Sequence, residues 1–364
     1  MGHSKPIGTI VIVGFPYTPD SNTGRGIDRY TNDLVLGLVD KGYTVRVVSE
    51  GKVSGPSWNF ILSLCRSLYK IFKFKSDNSI FHAVDPLGAL LLIIAKKEPV
   101  VVTVHDMLPH LLKTTSLRRS MTKVIVNYVI RHSDFIITTF EFTKRILQQK
   151  FPQSETKASV VHLGFQNMSG SDSNFCNHAH SSNEFTLLHI GAFDHGSEDA
   201  VRIFSELAKE NPRVKLILGG TGSTDPRIKH LIDKLGLTER IELTGFIPER
   251  DMGSLFHKAS VFIYPSNLGF SYLVLQSMLL GIPVVAYDIW DMKEYAADSV
   301  LLCPYRNHLM FARMIDSILS DNGQRKRLVY RAKQRASGFT INDMIEGTLE
   351  VYGKVVMSQQ KEFE

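Results

Sequence analysis

The chain has 364 residues, 43% of them hydrophobic and 21% charged, with a formal net charge of +6. That length allows two domains that each bury a core, and that composition excludes a disordered chain. Three scattered cysteines (Cys65, Cys176, Cys303) exclude a disulfide framework or a cysteine metal site, and the longest uncharged apolar run, 87–95, is too short to span a bilayer.

From Thr9 the sequence alternates apolar runs with helical periodicity. Strands are predicted at 9–13, 44–48, 79–84, 100–106, 135–139 and 158–164, separated by helices at about 26–41, 57–73, 86–97, 116–132 and 141–151. Near-continuous β-branched strands separated by helices indicate a parallel sheet covered on both faces. A polar run of Ser, Asn, Asp and His between Gln166 and Asn183 interrupts the pattern. The alternation then restarts at 185–193, 214–220, 240–245, 261–266, 284–288 and 300–304, with a helix from about Phe270 to Leu280 and an amphipathic final helix at 341–358.

The expected organisation is therefore an α/β protein of two Rossmann-like doubly wound domains facing a central cleft. Residues 1–165 form the first domain, 166–184 a linker, and 185–340 the second domain. Ligands of such sheets bind outside the carboxyl ends of the strands.

Charge is divided unevenly between the halves. Residues 1–170 carry 21 Lys and Arg against 12 Asp and Glu, a balance of +9, and residues 171–364 carry 21 against 24, a balance of −3. A basic first half favours anionic partners such as phospholipid headgroups or polyphosphates. Within it, Ser57 to Lys75 interleaves aromatics with Arg66, Lys70, Lys73 and Lys75, which reads either as a membrane-surface helix or as a core-packing helix with a solvated basic face. Arg118, Arg119 and Lys123 make a second basic helix.

Several segments match, in order and spacing, the motifs of one enzyme family. Gly24-Arg25-Gly26-Ile27-Asp28-Arg29 follows the first strand as a glycine loop that opens a helix, and amides so placed attract phosphate. Val102-Thr103-Val104-His105-Asp106 reads V-T-x-H-D, and FIITTFEFTKRIL (135–147) and Gly220-Thr221-Gly222 add two more signatures. Further on stand Gly245-Phe246-Ile247-Pro248 and the stretch from Pro265-Ser266 through Gly269-Phe270-Ser271 to Met278, Gly281 and Pro283-Val284-Val285. Together these resemble the family 4 glycosyltransferases, two-domain (GT-B type) retaining enzymes that take sugars from nucleotides.

The resemblance implies a nucleotide-sugar substrate such as a UDP- or GDP-sugar, a lipid-linked, polysaccharide or glycan acceptor, and no metal, other cofactor or nucleic acid. It implies that His105 works against the donor sugar at the reaction centre, and that Gly24, Arg25, Gly26 and Arg29 form an acceptor or phosphate loop. Gly191, Gly220, Gly222, Gly245, Phe246, Gly269, Phe270, Ser271 and Gln276 would hold the nucleotide sugar. It also implies that the last helix, 341–364, crosses back to the first domain. A cytoplasmic protein, peripheral on the inner face of a membrane, is expected.

The sequence departs from the family on the donor side. Leu268 and Gln276 stand where the family has two glutamates, Ala192 replaces an arginine, and Ser197 or a neighbour replaces a lysine. Gln276 can still accept a hydrogen bond from a ribose hydroxyl, but Leu268 cannot. Two lost charge-assisted hydrogen bonds cost roughly 1.5–3 kcal/mol each unless His195, Arg25 or Lys144 compensates. Besides an active transferase, the pattern admits a catalytically silent relative that serves as a partner in a glycosylation complex. A sugar-phosphate isomerase or epimerase on the same fold is less compatible with the order of the motifs.

Overall fold

The computed structural model describes residues 8–14, 26–49, 57–76, 78–105, 117–165, 184–191, 196–267, 271–289 and 292–362. The chain divides into two compact units, residues 1–166 with 339–364, and residues 167–338.

The first unit holds six parallel strands, β1 (Thr9–Gly14), β2 (Thr44–Ser49), β3 (Ser79–Ala83), β4 (Val100–Val104), β5 (Phe135–Thr138) and β6 (Ala158–Val160), in the spatial order β2-β1-β3-β4-β5-β6. β4 (VVVTV) is buried along its whole length, as a central parallel strand covered on both faces must be. The helices are α1 (Gly26–Asp40), α2 (Ser57–Phe72), α3 (Pro86–Ile94), α4 (Leu117–His132) and α5 (Glu141–Lys150). α3 begins sharply because the Asp85 carboxylate accepts from the amides of Leu87 (2.8 Å) and Gly88 (2.9 Å), with Pro86 in the first turn. Gly88 lets α3 press on β1, since a Cβ there would lie 2.9 Å from the Val13 carbonyl oxygen. α3 packs between α2 and α4.

β6 stops at Val160 although the apolar pattern continues to Gly164. Phe165 instead donates its amide to the Phe339 carbonyl (2.9 Å) and forms a single parallel bridge with Thr340. The final helix, Ile341–Glu362, packs on α1 and β5, with Ile345 against Gly37 and Lys41 paired with Glu346.

The second unit repeats the design. Its strands are β7 (Phe185–Ile190), β8 (Val214–Gly219), β9 (Ile241–Gly245), β10 (Val261–Tyr264), β11 (Val284–Tyr287) and β12 (Leu301–Cys303), all parallel, in the order β12-β11-β10-β7-β8-β9. Chain order reverses between β7 and β10. In a doubly wound sheet the ligand crevice opens at that point, outside the carboxyl ends of the strands. The helices are α6 (Ser197–Glu210), α7 (Pro226–Lys234), α8 (Glu249–Lys258), α9 (Tyr272–Leu280), α10 (Met292–Ala296), α11 (His308–Ser320) and α12 (Asn322–Ala336); with them the final helix is α13. Phe204, Phe311, Tyr287 and the strand aliphatics form the core.

Candidate functional site

The carboxyl edge of β7, β8 and β9 is built from backbone. After β8 the chain turns at Gly220 with φ +85°, and a Cβ there would sit 2.6 Å from the Gly191 carbonyl oxygen. Only glycine combines that left-handed backbone with that approach. The Gly220 amide donates to the Gly245 carbonyl (2.8 Å), and the Gly222 amide to Gly191 (2.9 Å). The Gly191 amide donates to Gly219 (3.0 Å), and the Gly245 amide to Ser223 Oγ (2.9 Å), whose hydroxyl donates to Gly220 (2.9 Å).

The structure thus brings four predicted residues, Gly191, Gly220, Gly222 and Gly245, into one cluster. All four N–H groups already donate within the protein, so the glycines shape this edge and do not donate to a ligand. Phe246 beside them is exposed.

The loops after β7 and β10 abut at the reversal point. Gly196 (φ +97°) lies so close to the next loop that a Cβ would fall 2.1 Å from the Pro265 carbonyl oxygen, and Ser266 is fully buried. The sequence shows a glycine in a turn but not the reason for it, because the neighbour is 69 positions away. α9 then starts behind Ser271, whose Oγ accepts from the Leu273 amide (3.2 Å). The helix therefore begins at Tyr272, slightly later than its sequence pattern suggests. α9 buries six of its nine residues, including Gln276, and ends at Gly281 with φ +75°. Gly269, Phe270, Leu268 and the 192–195 segment with Ala192 and His195 lie outside the described residues.

A polar group with no sign in the local sequence ties α6 to β11 and α11. Asp199, in the first turn of α6, accepts from the Tyr287 hydroxyl (3.0 Å) and contacts His308 Nε2 (3.0 Å). Burial, then the Asp199 charge, pushes the Tyr287 phenol well above its ordinary range.

In the first unit the carboxyl edge is organised by side chains. His105 follows β4, with its backbone carbonyl accepting from Thr139 Oγ1 (3.2 Å) and its ring edge-on to Tyr30, centroids 4.8 Å apart. Nε2 lies 3.2 Å from the Val84 carbonyl oxygen, which can only accept, so the proton is on Nε2 and Nδ1 is the acceptor. Burial lowers the His105 pKa to about 4, against a smaller raising effect of the Val84 carbonyl. At neutral pH the ring is uncharged and can accept a hydroxyl hydrogen bond, but it offers no positive charge to a phosphate.

A buried chain lies beneath it. Tyr30 OH meets Thr103 Oγ1 (3.1 Å), Thr103 Oγ1 meets His82 Nε2 (2.7 Å), and His82 Nδ1 meets Tyr352 OH on α13 (2.7 Å). Burial, then the proximity of His105, lowers the His82 pKa to about 3, and burial raises Tyr30 to about 12. Among the predicted loop residues, Gly26 opens α1, while Gly24 and Arg25 lie outside the described residues. Arg29 stands 4.3 Å over the Phe165 ring and 3.9 Å from Asp33 on the next turn, so its guanidinium is engaged within this unit. Among the described residues no group of His, Cys, Asp and Glu is arranged to hold a metal ion, and no helix is long and apolar enough to cross a membrane.

Two six-stranded, doubly wound parallel sheets with flanking helices define the GT-B class of α/β protein. Residues 24–166 match the family model described as Glycosyltransferase Family 4, and residues 171–335 match Glycosyl transferases group 1. The chain belongs to these glycosyltransferase families. It is 31% identical over 147 residues to D-inositol 3-phosphate glycosyltransferase of Salinispora arenicola, across 38% of this chain and 32% of that protein. The matched stretch spans less than half the length of such curated relatives. Its fold matches that of sucrose-phosphate synthase from Thermosynechococcus elongatus with a TM-score of 0.81 at 16% identity, covering 96% of this chain and 100% of the other. It also matches Anabaena Alr3699/HepE, solved in complex with UDP-glucose, with a TM-score of 0.70 at 19% identity, covering 95% and 99%.

Proposed function

We propose that this protein is a retaining glycosyltransferase that moves a sugar from a nucleotide-sugar donor, such as a UDP- or GDP-sugar, to a lipid-linked, polysaccharide or glycan acceptor, without a resident metal ion. The observation that carries the reading is the glycine cluster of Gly191, Gly220, Gly222 and Gly245 at the strand ends beside the reversal of chain order. A backbone surface free of side chains lets a flat, charged ligand approach closely.

Because the cluster's amides are consumed internally, the diphosphate is assigned to the start of α9 around Ser271, where the helix dipole favours anions by about 0.3–1 kcal/mol, and more when buried. Exposed Phe246 is assigned to the base, and Gln276 to a ribose hydroxyl through its amide oxygen. Neutral His105 is assigned to a hydroxyl of the transferred sugar, with Nδ1 accepting. Developing charge on the leaving diphosphate then has to be met by helix amides and by one of His195, Arg25 or Lys144, and a clamp without the family's arginine and lysine predicts slow turnover.

The test is incubation with a panel of UDP- and GDP-sugars, with chromatographic detection of released nucleoside diphosphate. Slow release from one donor, accelerated by the right acceptor, is expected. No release from any donor and no nucleotide binding would favour the silent-partner reading, to which the loss of four donor-side charges points.

A further inference from the structure

The helices α2, α3 and α4, packed side by side on one face of the first sheet, contain no Asp or Glu over their whole length. They carry Arg66, Lys70, Arg118, Arg119, Lys123 and Arg131, and Lys73 and Lys75 follow directly after α2. The orientation of α2 is the more telling feature. A surface helix of a globular protein turns its apolar stripe to the core, whereas α2 is apolar on two faces, with Leu64, Leu68 and Ile71 packed on the core and a second apolar stripe directed outward. Ser63, Ser67 and Ile71, spaced four apart, are buried, and the two serine hydroxyls have no hydrogen-bond partner among the described residues. Trp58, Ile61, Tyr69 and Phe72, spaced for one face, point outward, with Trp58 74%, Tyr69 64% and Phe72 56% exposed.

At 100° per residue, Arg66, Lys70 and Lys73 run along one edge of this outward stripe. Lys73 Nζ sits 4.3 Å over the Tyr69 ring, so charge and aromatic are presented together. α4 repeats the pattern with Met121, Val124 and Tyr128 exposed at i, i+3 and i+7, beside Lys123 and Arg131.

We propose that this acid-free, outward-apolar face of α2 to α4 docks onto an anionic bilayer, with α2 lying in the interface. A bilayer fits both halves of the pattern. The aromatic and aliphatic side chains enter the headgroup and acyl boundary, and the flanking cations meet lipid phosphates along one edge. An acidic soluble partner would satisfy the cations but would leave an exposed Trp, Ile, Tyr and Phe stripe with nothing apolar to bury it. The inference does not depend on the donor assignment above, since docking needs no nucleotide.

Flotation with phosphatidylcholine vesicles, with and without phosphatidylglycerol, tests it. The protein should float with the anionic vesicles only. Changing Arg66→Gln, Lys70→Gln and Lys73→Gln together should weaken that binding about 100-fold, from about 1 kcal/mol per cation at the surface. Trp58→Ser with Tyr69→Ser should abolish flotation while the thermal midpoint, set by buried residues, stays unchanged. The sequence has two tryptophans, so Trp290→Phe leaves Trp58 as sole reporter, and its emission should shift to the blue on anionic vesicles. Absence of flotation, flotation indifferent to phosphatidylglycerol and to the Gln changes, or a dimer in solution that Trp58→Ser dissociates would each overturn the proposal. The last result would assign the face to a second copy of the chain.

Discussion

In the first unit the carboxyl edge of the sheet rests on side chains. Tyr352, His82, Thr103 and Tyr30 form a buried hydrogen-bonded chain under His105. In the second unit the corresponding edge rests on backbone, with Gly191, Gly220, Gly222 and Gly245 bonded to one another and Gly196 pressed against Pro265. The same sheet design is therefore finished by two kinds of chemistry with different weaknesses. A side-chain chain titrates and loses stability one hydrogen bond at a time, whereas a backbone cluster is blind to pH but intolerant of a single Cβ.

The largest expected effect is acid sensitivity of the side-chain edge. The folded-state pKa values of His82 (about 3) and His105 (about 4) lie below the ordinary 6.5, so between those values the unfolded chain binds protons that the folded chain does not. Their contribution is complete above pH 6.5 and is lost as pH falls toward 4, by about 3 kcal/mol for His105 alone. Urea unfolding from pH 7 to 4.5 should show this slope, and His105→Asn should flatten it by about 1.4 kcal/mol per pH unit. An unchanged slope would remove His105 from the account.

Next comes the backbone edge. Gly196→Ala should cost about 3 kcal/mol or more, because a positive φ and a backbone overlap act together. Gly236→Ala, with φ +67° and nothing within 4 Å of the added Cβ, isolates the conformational part and should cost only about 1 kcal/mol. Equal thermal shifts in the two variants would mean that close packing at Pro265 contributes nothing.

Tyr352→Phe comes third. It leaves buried His82 Nδ1 without its partner and should cost about 1–3 kcal/mol, read by thermal unfolding. If the C-terminal helix matters to the reaction only through fold stability, release of nucleoside diphosphate at low temperature will be unchanged.

The smallest effect is on the donor side. Gln276→Glu restores a carboxylate acceptor and should tighten nucleotide binding about fivefold, the difference between a neutral and a charge-assisted hydrogen bond. No change in affinity would place the ribose elsewhere.

How much of this was legible in the sequence follows from the range of the interactions. The strands and the helices between them were readable because parallel buried strands announce themselves as local β-branched runs, as in β1 and β4. The end of β6 was not, because its apolar run continues to Gly164 and only the distant Phe339 and Thr340 take the chain out of the sheet. The glycines of the second unit were visible as motifs, but the groups that their amides bond were not. Tyr352, 270 positions from His82, gave no local sign, and neither did the Asp199, Tyr287 and His308 group. Arg29 is a candidate anion contact by sequence, but its guanidinium lies over Phe165 and near Asp33, partners that the local pattern does not reveal.

The backbone edge of the second unit is proposed to receive a nucleotide. Isothermal titration with UDP, GDP and their sugars tests it most directly, in the unaltered protein and in Phe246→Ala. Saturable binding of one nucleotide series, weakened severalfold in Phe246→Ala and unaltered in His82→Asn, is the predicted result. Absent or millimolar binding of every nucleotide, or binding indifferent to Phe246, would contradict it.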